Sequence, residues 1–305
     1  MAIRNGISSG YPFVEAIKSA LPLCDEFLIS DGFSEDKTYE VLETLSQQDS
    51  RIQLFRDKWD QKSFDGSALK NALNMVRYRC KGTYIFEIDA NEIIPEENIP
   101  FIRSLPDIYP RDEVFSFPYY QILGSKILFN EEFRVRFSKN RRDIKVLYDA
   151  NTMGFKYTLK DLMDSRTRKR VKSRILRSIL EGRKISSGLP ERYIYLPRPI
   201  FKYYSIFPEN FFNKMKTKRY LQPTKDYSSF DLSSENSQLS GIYHKYKEAH
   251  DYENFWEEIY NYHMKFLKGG KSINKEFIEH RIIKESDQPK IIQPQFNKDS
   301  YTPPI

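Results

Sequence analysis

Hydrophobic positions in the first hundred residues follow two alternating periods. Short uninterrupted apolar runs, "EFLIS", "IQLF" and "TYIFEI", read as strands, and "AIRN" ends a shorter first one. Between them, "PFVEAIKSAL" sets Phe13, Val14, Ile17 and Leu21 on one helical face, with Pro12 suited to its first turn. "DKTYEVLETLSQQ" repeats the spacing with Val41, Leu42 and Leu45. A third helix from Ser67 to about Arg79 carries Leu69, Leu73 and Val76, and Gly82 follows it as a terminator. The order is β-α-β-α-β-α-β. Strands that are apolar throughout are covered on both faces, so the pattern predicts a mostly parallel sheet flanked by helices.

Beyond residue 105 the period changes. "VFSF", "FRVRF", "IKVLY" and "RYIYL" predict strands joined by polar turns, closer to a meander than to βαβ units. A helix is expected over Glu209–Tyr220, a Ser/Asp/Gln-rich loop near 224–240, and an aromatic helix over Asn254–Leu267. From Gln288 onward prolines recur without periodicity, which predicts an extended or disordered tail over 288–305. The chain thus divides at about 105 into an α/β half and a β-rich and helical portion, 106–287, of the same or an appended domain.

Composition narrows the setting. A hydrophobic fraction of 39% with 15% aromatics suffices for a packed core. Two cysteines, Cys24 and Cys80, both in apolar surroundings, fit reduced thiols rather than a disulfide scaffold. No apolar run reaches bilayer length, and "MAIRNG" lacks a signal-peptide core, so a cytoplasmic protein is expected. The whole-chain charge of +7 is concentrated: residues 166–184 hold nine Lys or Arg and one acid, Glu181, leaving the rest close to neutral. That segment reads as an amphipathic helix with a cationic face in water. The alternative is peripheral docking to anionic lipid at the inner membrane face. Nucleic acid is not expected, because no recognisable binding module accompanies the charges.

Ligands of parallel sheets sit outside the carboxyl ends of the strands. The polar tips there are Arg4-Asn5, Asp31 and the stretch from Asp89 to Glu92. In order and spacing these resemble the family-2-type glycosyltransferases with the GT-A fold. "RNG" is similar to that family's Arg-Asn-Glu, with Gly6 in place of the acid. "CDEFLISDGFSEDKT" matches a strand followed by D-[DG]-x-S-x-D-x-T through Asp31, Gly32, Ser34, Asp36 and Thr38. "ALNMVRYRCKGTYIFEIDANE" keeps the spacing from Asn74 through Gly82 and Tyr84 to Asp89. Downstream, Glu132, Arg134, Asn140, Asp149, Ala150, Gly154 and Phe155 resemble a subgroup pattern, while Lys202 stands where that subgroup has His.

The resemblance implies a GT-A-like α/β fold whose first half, 1–105, binds a nucleotide-sugar donor. It also implies transfer of the sugar, with inversion, to a glycan, lipid-linked or cell-envelope acceptor. Donor contacts would come from Arg4, Asn5, Asp31, Asn74 and Asp89. Asp89 and Asn91 would occupy the two places of the D-x-D motif and hold Mn²⁺ or Mg²⁺ against the diphosphate. Asp149, Glu132 and Glu92 are the candidates for the general base, Asp149 favoured by its place in the subgroup pattern. A catalytically degenerate binding or scaffold protein on the same fold is the alternative.

Overall fold

The computed structural model describes residues 1–59, 67–147, 152–155, 194–216, 238–267 and 282–304, with a few single positions between 163 and 172. The basic segment 166–184 and Asp149 therefore lie essentially outside the described residues. The chain is mixed α/β. Three parallel strands, β1 (Ala2–Ile3), β2 (Phe27–Asp31) and β3 (Ile52–Arg56), pair in the order β1-β2-β3. Their connections are α1 (Phe13–Ala20) and α2 (Thr38–Gln48), followed by α3 (Ser67–Arg79). β2 is buried at every position, as its unbroken apolar pattern requires. Helix α1 shows why it docks: Phe13, Val14, Ala16, Ile17 and Ala20 are all essentially inaccessible, and Lys18 is its exposed position.

The fourth predicted strand departs from the expected single sheet. β4 (Tyr84–Phe86) pairs antiparallel with β7 (Ile127–Lys139), not with the β1-β2-β3 ladder. A cavity of about 310 Å³ is lined by Phe27 and Leu28 of β2 and by Ile85 and Phe86 of the β4 region. β4 begins a mixed sheet ordered β4-β7-β6-β11-β5, in which β6 is Val114–Leu123, β11 is Ile200–Ser205 and β5 is Glu92–Ile93. β10 (Ile194–Tyr195) also pairs with β6, and β8 (Ile144–Leu147) with β9 (Thr152–Phe155) forms a hairpin. The meander-like strands are thus present.

Three further elements carry no clear sequence pattern: α4 (Ile99–Ile108), strand β11, and α6 (Gln238–Ala249), whose first residues fall inside the expected loop. Helix α5 spans Pro208–Lys216 and α7 spans Tyr252–Leu267. Helices α6 and α7 pack in a second aromatic core with Leu123, Phe211, Tyr246 and Trp256.

The tail expected to be extended or disordered is instead folded onto the core. Ile292 is fully buried, and the Tyr301 ring lies edge-on to Phe13 at 5.5 Å. Tyr301 Oη donates to Glu15 Oε2 at 2.9 Å, and Gln295 Nε2 donates to Glu15 Oε1 at 2.6 Å. A buried carboxylate on α1 needs donors, and only the tail supplies these two. Periodicity could not reveal this, because the segment is anchored by isolated side chains rather than by a helical or strand face.

Candidate functional site

At the carboxyl ends of β1 and β3 the two sheets enclose a cavity of about 420 Å³. Arg4 reaches it from the end of β1, Trp59 from the loop after β3, and Asp89 with Asn91 from the turn after β4. The second sheet contributes Tyr119 and Gln121 from β6, Glu132 and Arg134 from β7, and Lys202 from β11. On β6, Tyr119 and Gln121 are two apart and share a face, as do Glu132 and Arg134 on β7.

The floor of this cavity is an ion-pair network. Arg136 is buried on β7 and grips Glu92 through Nε (2.9 Å) and Nη2 (2.6 Å). The same Nη2 lies 3.2 Å from Asp89 Oδ2, and Tyr119 Oη donates to Glu92 Oε1. Behind it, Glu87 stands 3.8 Å from both Arg136 and Arg77. Lys202 completes the network. β11 runs antiparallel to β5 with Lys202 directly opposite Glu92, so register alone delivers the ammonium to the acidic turn. Its Nζ is 2.9 Å from Asp89 Oδ2 and 3.7 Å from Glu92 Oε1.

These contacts set the protonation states. Burial pushes the Asp89 carboxyl up, but Lys202 and Arg136 outweigh it and hold it well below the usual carboxylate range. Burial opposes the Lys202 charge too, and Asp89 in turn raises the ammonium above its ordinary value. Glu92 is raised by burial, against the pull of Arg136. Asp89 is an anion and Lys202 a cation at neutral pH.

The residues predicted from sequence divide into two groups. Arg4, Asp89, Asn91 and Glu132 line the cavity. Asp149 lies outside the described residues, and the others are occupied elsewhere. Asp31 is fully buried and accepts from the Ser34 amide and hydroxyl, closing the turn after β2, with Arg56 3.5 Å away. A sugar or base contact for Asp31 is therefore not what this geometry offers. Asn5 has a left-handed backbone (φ 52°), and its side-chain oxygen accepts from Glu35 N, holding the loop. Asn74 exchanges two hydrogen bonds with the backbone of Val146, pinning α3 to β8. Glu92 lies beneath the cavity, clamped by Arg136. Asn140 donates to the Cys80 and Gly82 carbonyls and fixes the approach to β4.

The donor set also does not suit the expected metal. Asn91 Nδ2 donates to Tyr203 O at 2.9 Å and Tyr203 N donates to the Asn91 backbone carbonyl, which fixes the side chain at the β5–β11 junction, and its amide oxygen brings no charge to a metal. Asp89 and Glu92 are already neutralised by two cations. A divalent ion about 4 Å from an ammonium meets a repulsion of about 8 kcal/mol at an effective dielectric of about 20. Among the described residues no group of three or more His, Cys, Asp and Glu is placed to hold a metal.

The cavity residues not identified from sequence include Trp59, Tyr119, Gln121 and Tyr204. An aromatic two residues after an Arg-Asp pair gives no periodic signal. For Trp59 a structural clue does exist: a Cβ at Gly32 would meet its ring at 2.7 Å, so the glycine lets the indole lie flat on the strand end.

No protein-family profile matches the sequence, and no curated protein is similar to it. Among solved structures, the chain is similar to TarS from S. aureus, with 14% identity and a TM-score of 0.39. That match covers 71% of this chain and 38% of TarS, so the chain spans well under half of that protein's length. It is similar as well to residues 1–349 of TarS, at 11% identity and TM-score 0.39, covering 88% of this chain and 90% of that one. The same TarS piece crystallised in complex with UDP gives 12% identity and TM-score 0.40 over the same shares. Likeness at this level leaves the functional reading to the chain's own residues.

Proposed function

We propose that this chain is a glycosyltransferase that binds a nucleoside-diphosphate sugar in the cavity between its two sheets. The observation that carries the reading is the convergence there of Arg4, Trp59, Asp89, Arg134 and Lys202, at the carboxyl edge of a parallel sheet. This is an aromatic surface for a base beside a group of cations for a diphosphate. The ordered motif matches over residues 1–100 support the same reading.

In the proposed reaction an acceptor hydroxyl oxygen forms a bond to the anomeric carbon on the face opposite the leaving group. The bond from that carbon to the phosphate oxygen breaks, and the nucleoside diphosphate leaves with the electron pair. The hydroxyl proton passes to a carboxylate. Of the three carboxylates expected for this task, Glu132 lines the cavity, held by Arg134 (2.6 Å) and Gln121 (2.9 Å). Glu92 is consumed by its clamp, and Asp149 lies outside the described residues. In this proposal the acceptor is a glycan or lipid-linked hydroxyl, and segment 166–184 is the contact with an anionic membrane surface. Among the described residues no helix is long and apolar enough to cross a membrane.

Trp59 provides the test. Titration with UDP-, GDP- and CDP-sugars is expected to quench indole emission with one of them, and Trp59→Phe to abolish the quench. The other tryptophan, Trp256, is buried in the second core and serves as the internal reference. Absence of quenching and of any thermal shift with every donor would reject the reading. Binding without release of free nucleoside diphosphate would favour the scaffold alternative, which the internally neutralised Asp89 supports.

A further inference from the structure

We infer that Lys202 is the built-in counter-charge for the donor diphosphate, so that this chain binds nucleoside diphosphates without a divalent cation. The inference rests on the donor-site reading above and goes further, assigning the neutralising role to a side chain.

The first ground is charge parity. Two carboxylates and a divalent cation sum to zero, and so do Asp89 and Glu92 with Lys202 and Arg136. The four side chains form one contact network, with Lys202 2.9 Å from Asp89 and Arg136 2.6 Å from Glu92. A divalent ion entering this set would add two charges to a balanced group and would have to displace the ammonium from its carboxylate.

The second ground is geometry. Lys202 is rooted in β11 at a register position opposite Glu92, and its stem runs past the Tyr119 ring, with Nζ 5.4 Å from the ring centre. The ammonium is thereby held at the cavity floor, with 19% of its side chain exposed. An ammonium has three N–H donors. Asp89 takes one, and Glu92 at 3.7 Å is beyond hydrogen-bond range. Donors therefore remain to meet phosphate oxygens arriving from the cavity. Arg136, by contrast, is only 1% exposed and turns its guanidinium to the carboxylates, so it cannot do this. Arg4, paired with Glu35 at 2.8 Å, and Arg134, paired with Glu132 at 2.6 Å, border the same space.

The third ground is the commitment of Asn91. Its amide is fixed on Tyr203 O, so the second position of the acidic motif acts as a strand clamp and adds no charge. Among the described residues the carboxylates lining the cavity are Asp89 and Glu132, and both are already paired, with Lys202 and Arg134 respectively.

Calorimetric titration of the full chain with UDP, GDP and CDP, in EDTA and again in MnCl₂, tests the inference. The expected result is one nucleotide that binds equally in both buffers, within about twofold. Lys202→Met should weaken that binding in EDTA by about tenfold or more, the loss of one charge-assisted hydrogen bond. Lys202→Arg, which keeps the charge, should stay within a few-fold of the parent. Circular dichroism and melting of each variant separate lost binding from lost folding, and the arginine variant keeps the test decisive if the methionine variant unfolds. Binding that appears only with Mn²⁺ would overturn the built-in cation while upholding the donor site. Unchanged affinity in a folded Lys202→Met would overturn it as well. Failure of every nucleotide to bind in either buffer would reject the donor site, and this inference with it.

Discussion

Asn91 shows how a single position can carry a motif's place without its chemistry. In spacing it is the second member of an acidic pair, yet its amide donates to Tyr203 O and is buried between β5 and β11. An aspartate cannot donate that bond, and it would add a third carboxylate beside Asp89 and Glu92. Asn91→Asp is therefore expected to lower stability by about 2 kcal/mol, measured by urea unfolding, without creating Mn²⁺ binding. Tight Mn²⁺ binding by a stably folded variant, seen by loss of the free-ion EPR signal, would contradict the clamp role.

At the scale of elements, the site depends on how β6 hands over to β7. The turn between them contains Gly124 in a left-handed conformation (φ 64°), and a Cβ there would come within 2.5 Å of the Trp256 ring. The turn thus seats α7 against the sheet end and holds β6 and β7 in the register that presents Tyr119 opposite Glu132. Gly124→Ala is strained twice over, by φ and by contact. A loss of about 2 kcal/mol or more in unfolding free energy is expected, with lower protection of α6 and α7 from hydrogen exchange. A neutral Gly124→Ala would mean the indole can move aside without cost.

Across the whole molecule the carboxyl-terminal tail closes the fold by returning to α1. Glu15 is buried, and burial raises its carboxyl above the ordinary range while Tyr301 and Gln295 partly offset it. A raised carboxyl contributes stability that is fully present below the unfolded value of about 4.3 and is lost as pH rises through the folded value. Tyr301→Phe removes the donor to Glu15, which raises Glu15 further, and also the acceptor of the Val14 N–H at 3.2 Å. The lost Val14 bond costs about 1 kcal/mol at any pH, and the total is expected to grow by about 1–2 kcal/mol between pH 4 and pH 7, read from denaturation curves at the two pH values. A cost that does not change with pH would show that the bond to Glu15 adds nothing.

Local pattern was enough to determine which segments become strands and helices over residues 1–86 and that polar tips gather at one end of the strands. The reason is that burial on both faces writes itself into unbroken apolar runs such as "EFLIS", and one-sided burial into the spacing of Val41, Leu42 and Leu45. Arg4, Asp89 and Asn91 were legible from those polar tips, and Glu132 through the family resemblance; all four line the cavity. Which of these side chains are free to act was settled only in three dimensions. Asp31 is consumed by Ser34 in the next turn and Asn74 by the backbone of Val146, 72 positions away, and Lys202 meets Asp89 across 113 positions because β11 and β5 share a register. Charge balance at a site is a sum over elements distant in the chain, and no local period encodes that sum.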